Sequence, residues 1–455
     1  MSVELPETAE SVLSAEPPSA ARSPRRSSVV FLVGTFAGGQ LLARVLGALG
    51  GLLQARVVAP SVLGLFGGIG LVQGYIPFLQ AGILNGLNRE LPYFIGKGER
   101  SRAEQLAAAA QAWAVLLGVV VAGALLAIAG WHLACGRWEM SAGWAANAIM
   151  AFVLFYGTCY LQVTYRTSHD FARLAMVQVV QNALGLVLVA LVVLMNFYGI
   201  CLRATIMAIT STAMFYYWRP LRVGPRWNTV HWKHLFVIGA PIFVVGQVYA
   251  WWLVINSTLV LAFTGIKGMG LYAMVTTTAG MLELLPSSVS QILYPRMAER
   301  FGRTGELNDL LKMAVKPTLF TVAGMILLVA AAWWLADPAV RIVLPRYVEA
   351  VPAMQWTMLS AVIESLLPIA NVFNVVRRQR AYLAAILIGM SAYGVSLIWL
   401  TRGDVALVVF PQAMLIGQTA FALACYAIIF RLKREHHAIK AAETGAPGTP
   451  PDDAG

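Results

Sequence analysis

Charge is what this sequence has least of. Asp, Glu, Lys and Arg make up 12% of its 455 residues, about half the share of an ordinary soluble protein. The chain therefore cannot present a water-facing surface over its whole length. Histidine is also scarce: there are six, and none falls in the middle of an apolar run. His231 and His234 share a segment with Trp232 and Lys233, a grouping that reads as an interfacial anchor rather than a metal site. The four cysteines, Cys135, Cys159, Cys201 and Cys425, lie far apart with no C-x-x-C spacing, which argues against a disulfide scaffold or a zinc site. There is no G-x-x-x-x-G-K-[ST] loop to cradle a nucleotide phosphate. Neither a repeated filter sequence nor a ring of like charge marks an ion channel.

Apolar residues are abundant instead. They form 59% of the chain, with 40 glycines and 13 tryptophans and a mean hydropathy of +0.70. This composition predicts an all-α polytopic membrane protein. Windows of about 20 apolar residues give twelve spans: 29–54, 61–83, 106–130, 142–164, 175–196, 199–218, 236–262, 268–292, 317–336, 352–375, 381–400 and 405–429. The polar, Pro- and Ser-rich start (1–28) reads as a disordered cytoplasmic tail and 431–455 as a second cytoplasmic tail, whose end, AAETGAPGTPPDDAG, has no folding content. With the N-terminus inside, the cytoplasmic segments hold 25 Lys and Arg and the outside loops hold 5. That asymmetry supports both the count and an orientation with both termini in the cytoplasm.

The chain also matches itself. Gly39-Gln40 pairs with Gly246-Gln247, Leu63-Gly64-Leu65-Phe66 with Met269-Gly270-Leu271-Tyr272, and Gly98-Glu99 with Gly305-Glu306, all at offsets of 206 or 207. The expected organisation is two six-helix halves, 29–218 and 236–430, joined by a basic linker at 219–235. The halves have the same orientation and face a central cavity.

Polar residues within the spans are the candidate site, because burying them in lipid is costly. Arg44 lies in the first span with Gln40 one turn earlier on the same face. It either contacts a phosphate or pairs with an acid on another helix. In the eighth span Glu283, Ser287 and Gln291 form a stripe beside Pro286, and in the tenth Glu364 and Asn371 flank Pro368. Glu283 and Glu364 are candidates for a coupling proton or sodium ion, or for a purely structural role. Trp252 and Asn256 could offer a sugar an aromatic face and a hydrogen bond, or Trp252 could be an interfacial anchor. No cofactor, metal ligand set or catalytic group is evident. The outside loops, the longest about fifteen residues, are too short for a glycan polymerase or ligase, so the chain does not read as an enzyme.

Four stretches carry a resemblance: LLARVLGALGGLLQARVVAPSVLGLF (41–66), GLNRELPYFIGKGE (86–99), ILYPRMAERFGRTGE (292–306) and VLPRYVEAVPAMQWTML (343–359). Over about 29–435 the chain resembles the polysaccharide exporter and lipid-linked oligosaccharide flippase family of the multidrug/oligosaccharidyl-lipid/polysaccharide superfamily. The resemblance implies translocation of a polyprenyl-linked glycan across a bacterial inner membrane by alternating access. A single compact transporter needs no partner subunit for closure, so the expectation is a functional monomer with loose contacts to a polymerase or export machinery. Arg44, Arg89 and the pair Pro295-Arg296 look similar to residues of that family, with Arg44 and Arg89 as contacts for the anionic head. The alternative within the same superfamily is a cation-coupled exporter of small amphipathic compounds. A non-transporting scaffold would leave Arg44, Glu283 and Glu364 replaceable together. The topology is checked by fusions after Gly455: fluorescent-protein fusions should fluoresce and alkaline phosphatase fusions should stay inactive. The reverse result would invert every loop.

Overall fold

Long apolar runs broken by Pro, Gly and short basic stretches leave the backbone one way to satisfy its hydrogen bonds in lipid, the helix. The computed structural model describes residues 26–304, 306–376, 378–403 and 405–444, and all regular structure among them is helical. The expected tail residues 1–25 (with Arg22 and Arg25) and 445–455, Gly305 of the internal repeat, Arg377 and the side chain of Pro295 lie outside the described residues.

The first half contains α1 (Arg26–Val57), α2 (Pro60–Gly70), α3 (Val72–Tyr75), α4 (Ile83–Gly96), α5 (Arg100–Ala134), α6 (Trp138–Val153), α7 (Gln162–Thr167), α8 (Phe171–Val187), α9 (Val189–Met195) and α10 (Phe197–Tyr217). A π-helical stretch, Leu154–Leu161, joins α6 to α7. The second contains α11 (Thr229–Leu282), α12 (Leu284–Thr304), α13 (Leu307–Val343), a 3-10 turn (Pro345–Ala350), α14 (Val351–Glu364), α15 (Asn371–Val375), α16 (Gln379–Leu400) and α17 (Val409–Thr444).

Among the described residues, nine helices are long and apolar enough to cross a membrane. A bent pair, Pro345–Glu364 with Leu367–Val375, makes ten. One of the nine, Phe243–Thr304, holds two expected spans. They divide at Gly265, whose φ of 67° is a left-handed conformation that glycine adopts without steric cost. Helix α1 occupies the place of the first expected span, so the pattern of twelve is accommodated.

Two expectations need correction. Residues 84–105 are not all loop, because Ile83–Gly96 is helical. Leu84, Leu87 and Leu91 are buried on one face while Asn88 and Arg89 are exposed on the other, the three-and-four spacing of an amphipathic helix. At the C-terminus, α17 continues to Thr444, well past residue 431, and α1 already begins at Arg26.

The halves meet along a seam of glycines, with α2 and α4 running antiparallel to α11. A Cβ on Gly86 would stand 2.1 Å from the Leu235 carbonyl oxygen, and one on Gly239 would stand 1.9 Å from that of Gly82. Further along, a Cβ on Gly270 would stand 1.7 Å from the Pro60 oxygen and 3.0 Å from the Gly64 nitrogen. Gly64 and Gly270 are counterparts in the internal repeat, and here they face each other. The absence of side chains at these points lets two backbones touch, as small residues commonly do between membrane helices.

The linker is docked rather than free. Trp232 is buried and donates from Nε1 to the Ala109 oxygen at 2.7 Å, and the Arg226 amide donates to Ala108 at 3.0 Å. Trp232 therefore anchors the linker to α5, not to a lipid interface. His234 pairs with Glu90 of α4 at 3.1 Å. Burial and the neighbouring His234 and Arg102 hold the His231 imidazole below its usual pKa.

Gly86→Ala and Gly270→Ala should each lower stability by about 1–3 kcal/mol, the usual cost of overpacking. Gly51→Ala, with nothing within 4 Å of the added atom, should be neutral. Thermal unfolding in detergent checks the contrast.

Candidate functional site

Both acids predicted from the sequence stand where a proline interrupts a helix. Pro286 has no amide to give the Leu282 carbonyl, and Pro368 has none for the Glu364 carbonyl. The chain accordingly breaks between α11 and α12 at Glu283, and bends by 46° after Glu364. The Tyr426 hydroxyl of α17 donates to the Leu366 oxygen in that bend at 3.0 Å, and Ser365 Oγ donates to the Val362 oxygen at 2.6 Å. The broken turn is thus held by hydrogen bonds rather than left open.

Between these breaks lies a cavity of about 320 Å³. Glu283, at the junction of α11 and α12, and Ser287, Ser290 and Gln291 of α12 form one wall. Glu364, Asn371 and Asn374 form another, and the rings of Tyr249, Tyr382 and Phe421 complete it. Gln418 of α17 donates from Nε2 to Glu364 Oε1. Asn371 Nδ2 donates to Ser290 Oγ at 2.6 Å and to the Pro368 oxygen at 3.0 Å, joining the two walls. Among the lining residues there is no Lys, Arg or His, and each wall carries a carboxylate. Carboxylates without a basic neighbour in the lining favour capture of a cation.

The structure brings Glu283, Glu364 and Asn371 together, with Ser287 and Gln291. It places the other candidates elsewhere. Arg44 is exposed on α1 and Gln40 half-buried; neither lines the cavity, and Arg44 has no ion pair or hydrogen bond among the described residues. Arg89 is exposed on α4 and Arg296 on α12. Trp252 and Asn256 lie in the core of the second half, 1% and 2% exposed. Asn256 Nδ2 donates to the Tyr272 hydroxyl, and the Tyr393 hydroxyl donates to Asn256 Oδ1 at 2.9 Å. The Trp252 ring packs on Tyr249, Tyr393 and Phe421. The pair therefore offers no free face to a sugar and is no interfacial anchor; Trp252 backs two cavity-lining rings from behind.

Sequence reasoning missed Tyr249, Tyr382, Ser290, Asn374, Gln418 and Phe421. Gln418, a polar residue inside an apolar span, was open to the same argument that found Glu364. Ser290 lies seven residues after Glu283 on the same face. The aromatic rings carry no signal in a chain already rich in them.

No protein-family model matches this sequence, and no curated protein does. Solved structures do. An inward-facing multidrug resistance MATE transporter of the MOP superfamily superposes with a TM-score of 0.67 at 14% identity, covering 89% of this chain and 96% of that one. The fold is that of the MATE transporters. An outward-facing MATE structure gives a TM-score of 0.62 at 13% identity, over 92% of this chain and 98% of that one. A MOP superfamily transporter from Pyrococcus furiosus, described as having a binding pocket of reverse polarity, gives 0.58 at 14% identity, over 91% and 96%. At these identities the MATE likeness speaks for the fold: a multi-pass, all-helical membrane protein.

Replacing Trp252 by Ala should cost about 3–5 kcal/mol, because its ring fills the space between Gly389 and Gly417. A fall in melting temperature much larger than that of Tyr382→Phe would be the sign, and equal shifts would contradict it.

Proposed function

We propose that this chain is a cation-coupled exporter of small amphipathic compounds, cationic ones above all, working by alternating access of its two halves. The acidic cavity carries the reading. It offers two carboxylates, several amides and hydroxyls and three aromatic rings in a volume at the lower end of the small-ligand range. A pyrophosphate head would meet like charge there, whereas an aromatic cation would find both charge and ring faces. The likeness to multidrug resistance transporters in inward- and outward-facing conformations supports the same reading.

In this mechanism a proton or sodium ion and the cargo compete for Glu283 and Glu364. Binding one expels the other, and each occupant favours a different arrangement of the halves. Glu364 is positioned by Gln418, and the α12 wall is tied to the bend through Asn371 and Ser290. The chain would work as a monomer in the bacterial inner membrane with both termini in the cytoplasm.

A second reading, translocation of a lipid-linked glycan, is favoured by Arg44. An exposed guanidinium in a membrane helix, without an ion pair among the described residues, suits a phosphate. The sequence resemblance to polysaccharide exporters supports it too, and a polymerase would then be a neighbour. Arg89 would serve as an entry contact.

Proteoliposomes separate the two. Under an imposed proton or sodium gradient the protein should export a fluorescent organic cation. Glu283→Gln and Glu364→Gln should each reduce this at least about ten-fold, the effect of losing one charge-assisted contact, and Arg44→Ala should leave it intact. Movement of a polyprenyl-pyrophosphate oligosaccharide that fails in Arg44→Ala, with no dye export, would overturn the first reading in favour of the second.

A further inference from the structure

The stretch 343–359 carries part of the sequence resemblance, yet its opening turn lies away from the acidic cavity. That turn, Pro345–Ala350, sits against the last turn of α1, at the end of that helix opposite Arg26. A helix leaves its final carbonyls without intrahelical donors. Here the second half supplies them: Arg346 Nη1 donates to the Val57 oxygen at 3.2 Å, and the Tyr347 hydroxyl donates to the Val58 oxygen at 3.3 Å. The guanidinium also faces the negative end of the α1 dipole. The Tyr347 ring is fully buried in a cluster that includes Ala55 of α1 and Leu271 and Met274 of α11. Lys267, just beyond the Gly265 break, reaches Glu349 at 2.8 Å, so the turn is tied to the adjoining end of α11.

Earlier along its length, α1 packs along α8. A Cβ on Gly39 would stand 2.8 Å from the Ala175 Cβ, and one on Gly47 2.7 Å from Asn182 Oδ1. The 345–350 turn thus grips α1 where it ends. Apolar packing around Ala55 has little directionality, whereas two bonds aimed at main-chain oxygens fix one register. When they part, the freed carbonyls at the end of α1 need another donor, which water can supply.

We propose that Arg346 and Tyr347 form a latch between the halves, closing the mouth at the C-terminal end of α1 by capping that helix, and that its release opens the cavity on that side. The latch gives the 343–359 motif a role in gating, distinct from cargo or ion binding. It rests on the alternating-access reading above.

The test reads the mouth directly. Ala55→Cys is placed in a Cys135→Ser background, which removes the exposed native thiol, and is labelled in sealed vesicles by a membrane-impermeant maleimide added on the latch side. Labelling should be slow in this parent and about ten-fold faster when Arg346→Gln and Tyr347→Phe are combined, as expected for two lost hydrogen bonds. Arg346→Lys, which keeps a cationic donor, should stay near the parent. Tyr347→Phe alone keeps the buried ring and should still accelerate labelling, and Leu52→Cys provides a second reporter in the same cluster. Rates unchanged in the double variant, or fast labelling already in the parent, would overturn the latch. Export measured in parallel keeps the two ideas apart. Faster labelling with no export of either cargo retains the latch and removes the cargo assignments, while unchanged labelling with intact export does the reverse.

Discussion

Direct backbone contact between α2–α4 and α11 is the constraint on which the rest of the molecule depends. In lipid there is little hydrophobic drive to bring helices together, so close approach and shape decide which faces meet. Gly64, Gly82, Gly86, Gly239 and Gly270 leave no side chain between the chains. A seam that tight resists sliding, because any shift would drive neighbouring side chains into main-chain atoms. Rotation about it is less restricted. The two halves are therefore joined along one line, while α1, on another side, touches the second half around Ala55 and Tyr347.

The acidic cavity inherits its geometry from this arrangement and from two prolines. Each breaks a helix at the residue that carries the charge, so the carboxylates sit at irregular backbone inside a membrane. Such backbone is tolerated only where it is buried in protein or lines a cavity. The hydrogen bonds from Tyr426, Asn371 and Gln418 limit the freedom those breaks would otherwise give. The first half carries its own half-buried polar centre of opposite sign. Arg203 donates from Nε to the Gly185 oxygen at 2.6 Å and from Nη1 to Gln54 Oε1 at 2.5 Å. Neutral oxygens satisfy that guanidinium, so it does not draw on the acids of the other half.

Much of this was legible in the sequence, and what was not had physical reasons. The spans could be read because twenty apolar residues have few alternatives to crossing a membrane. Glu283, Glu364 and Asn371 stood out because polarity in a span demands an explanation. Helix α4 was hidden because half its surface is polar, and hydropathy averaged over a window does not separate its two faces. Trp252 and Asn256 looked like a ligand platform because a span's sequence does not say which face meets the bundle. The structure turns that face toward Tyr272 and Tyr393. Arg203 was visible as a charge, but its partners lie on α1 and α8, and no local pattern reveals them. The glycine seam was visible as composition only; its meaning appears when α4 is set beside α11.

The docking of the linker has a consequence for how the chain is made. Trp232 and Leu235 belong to the same buried cluster as Leu84, Leu87 and Tyr160 of the first half, and Trp232 bonds to a carbonyl 123 residues earlier in the chain. At roughly 5–20 residues per second, the Ala109 carbonyl waits about 6–25 seconds of synthesis for the residue that bonds to it. During that interval the Ala109 carbonyl and the Trp113 ring lack their later partner. The first half is therefore not finished when its last helix is inserted but when the linker has been translated. A chain divided in two for separate expression would keep its first core whole only if the cut fell beyond Leu235, which would in turn take the opening turns of α11 from the second.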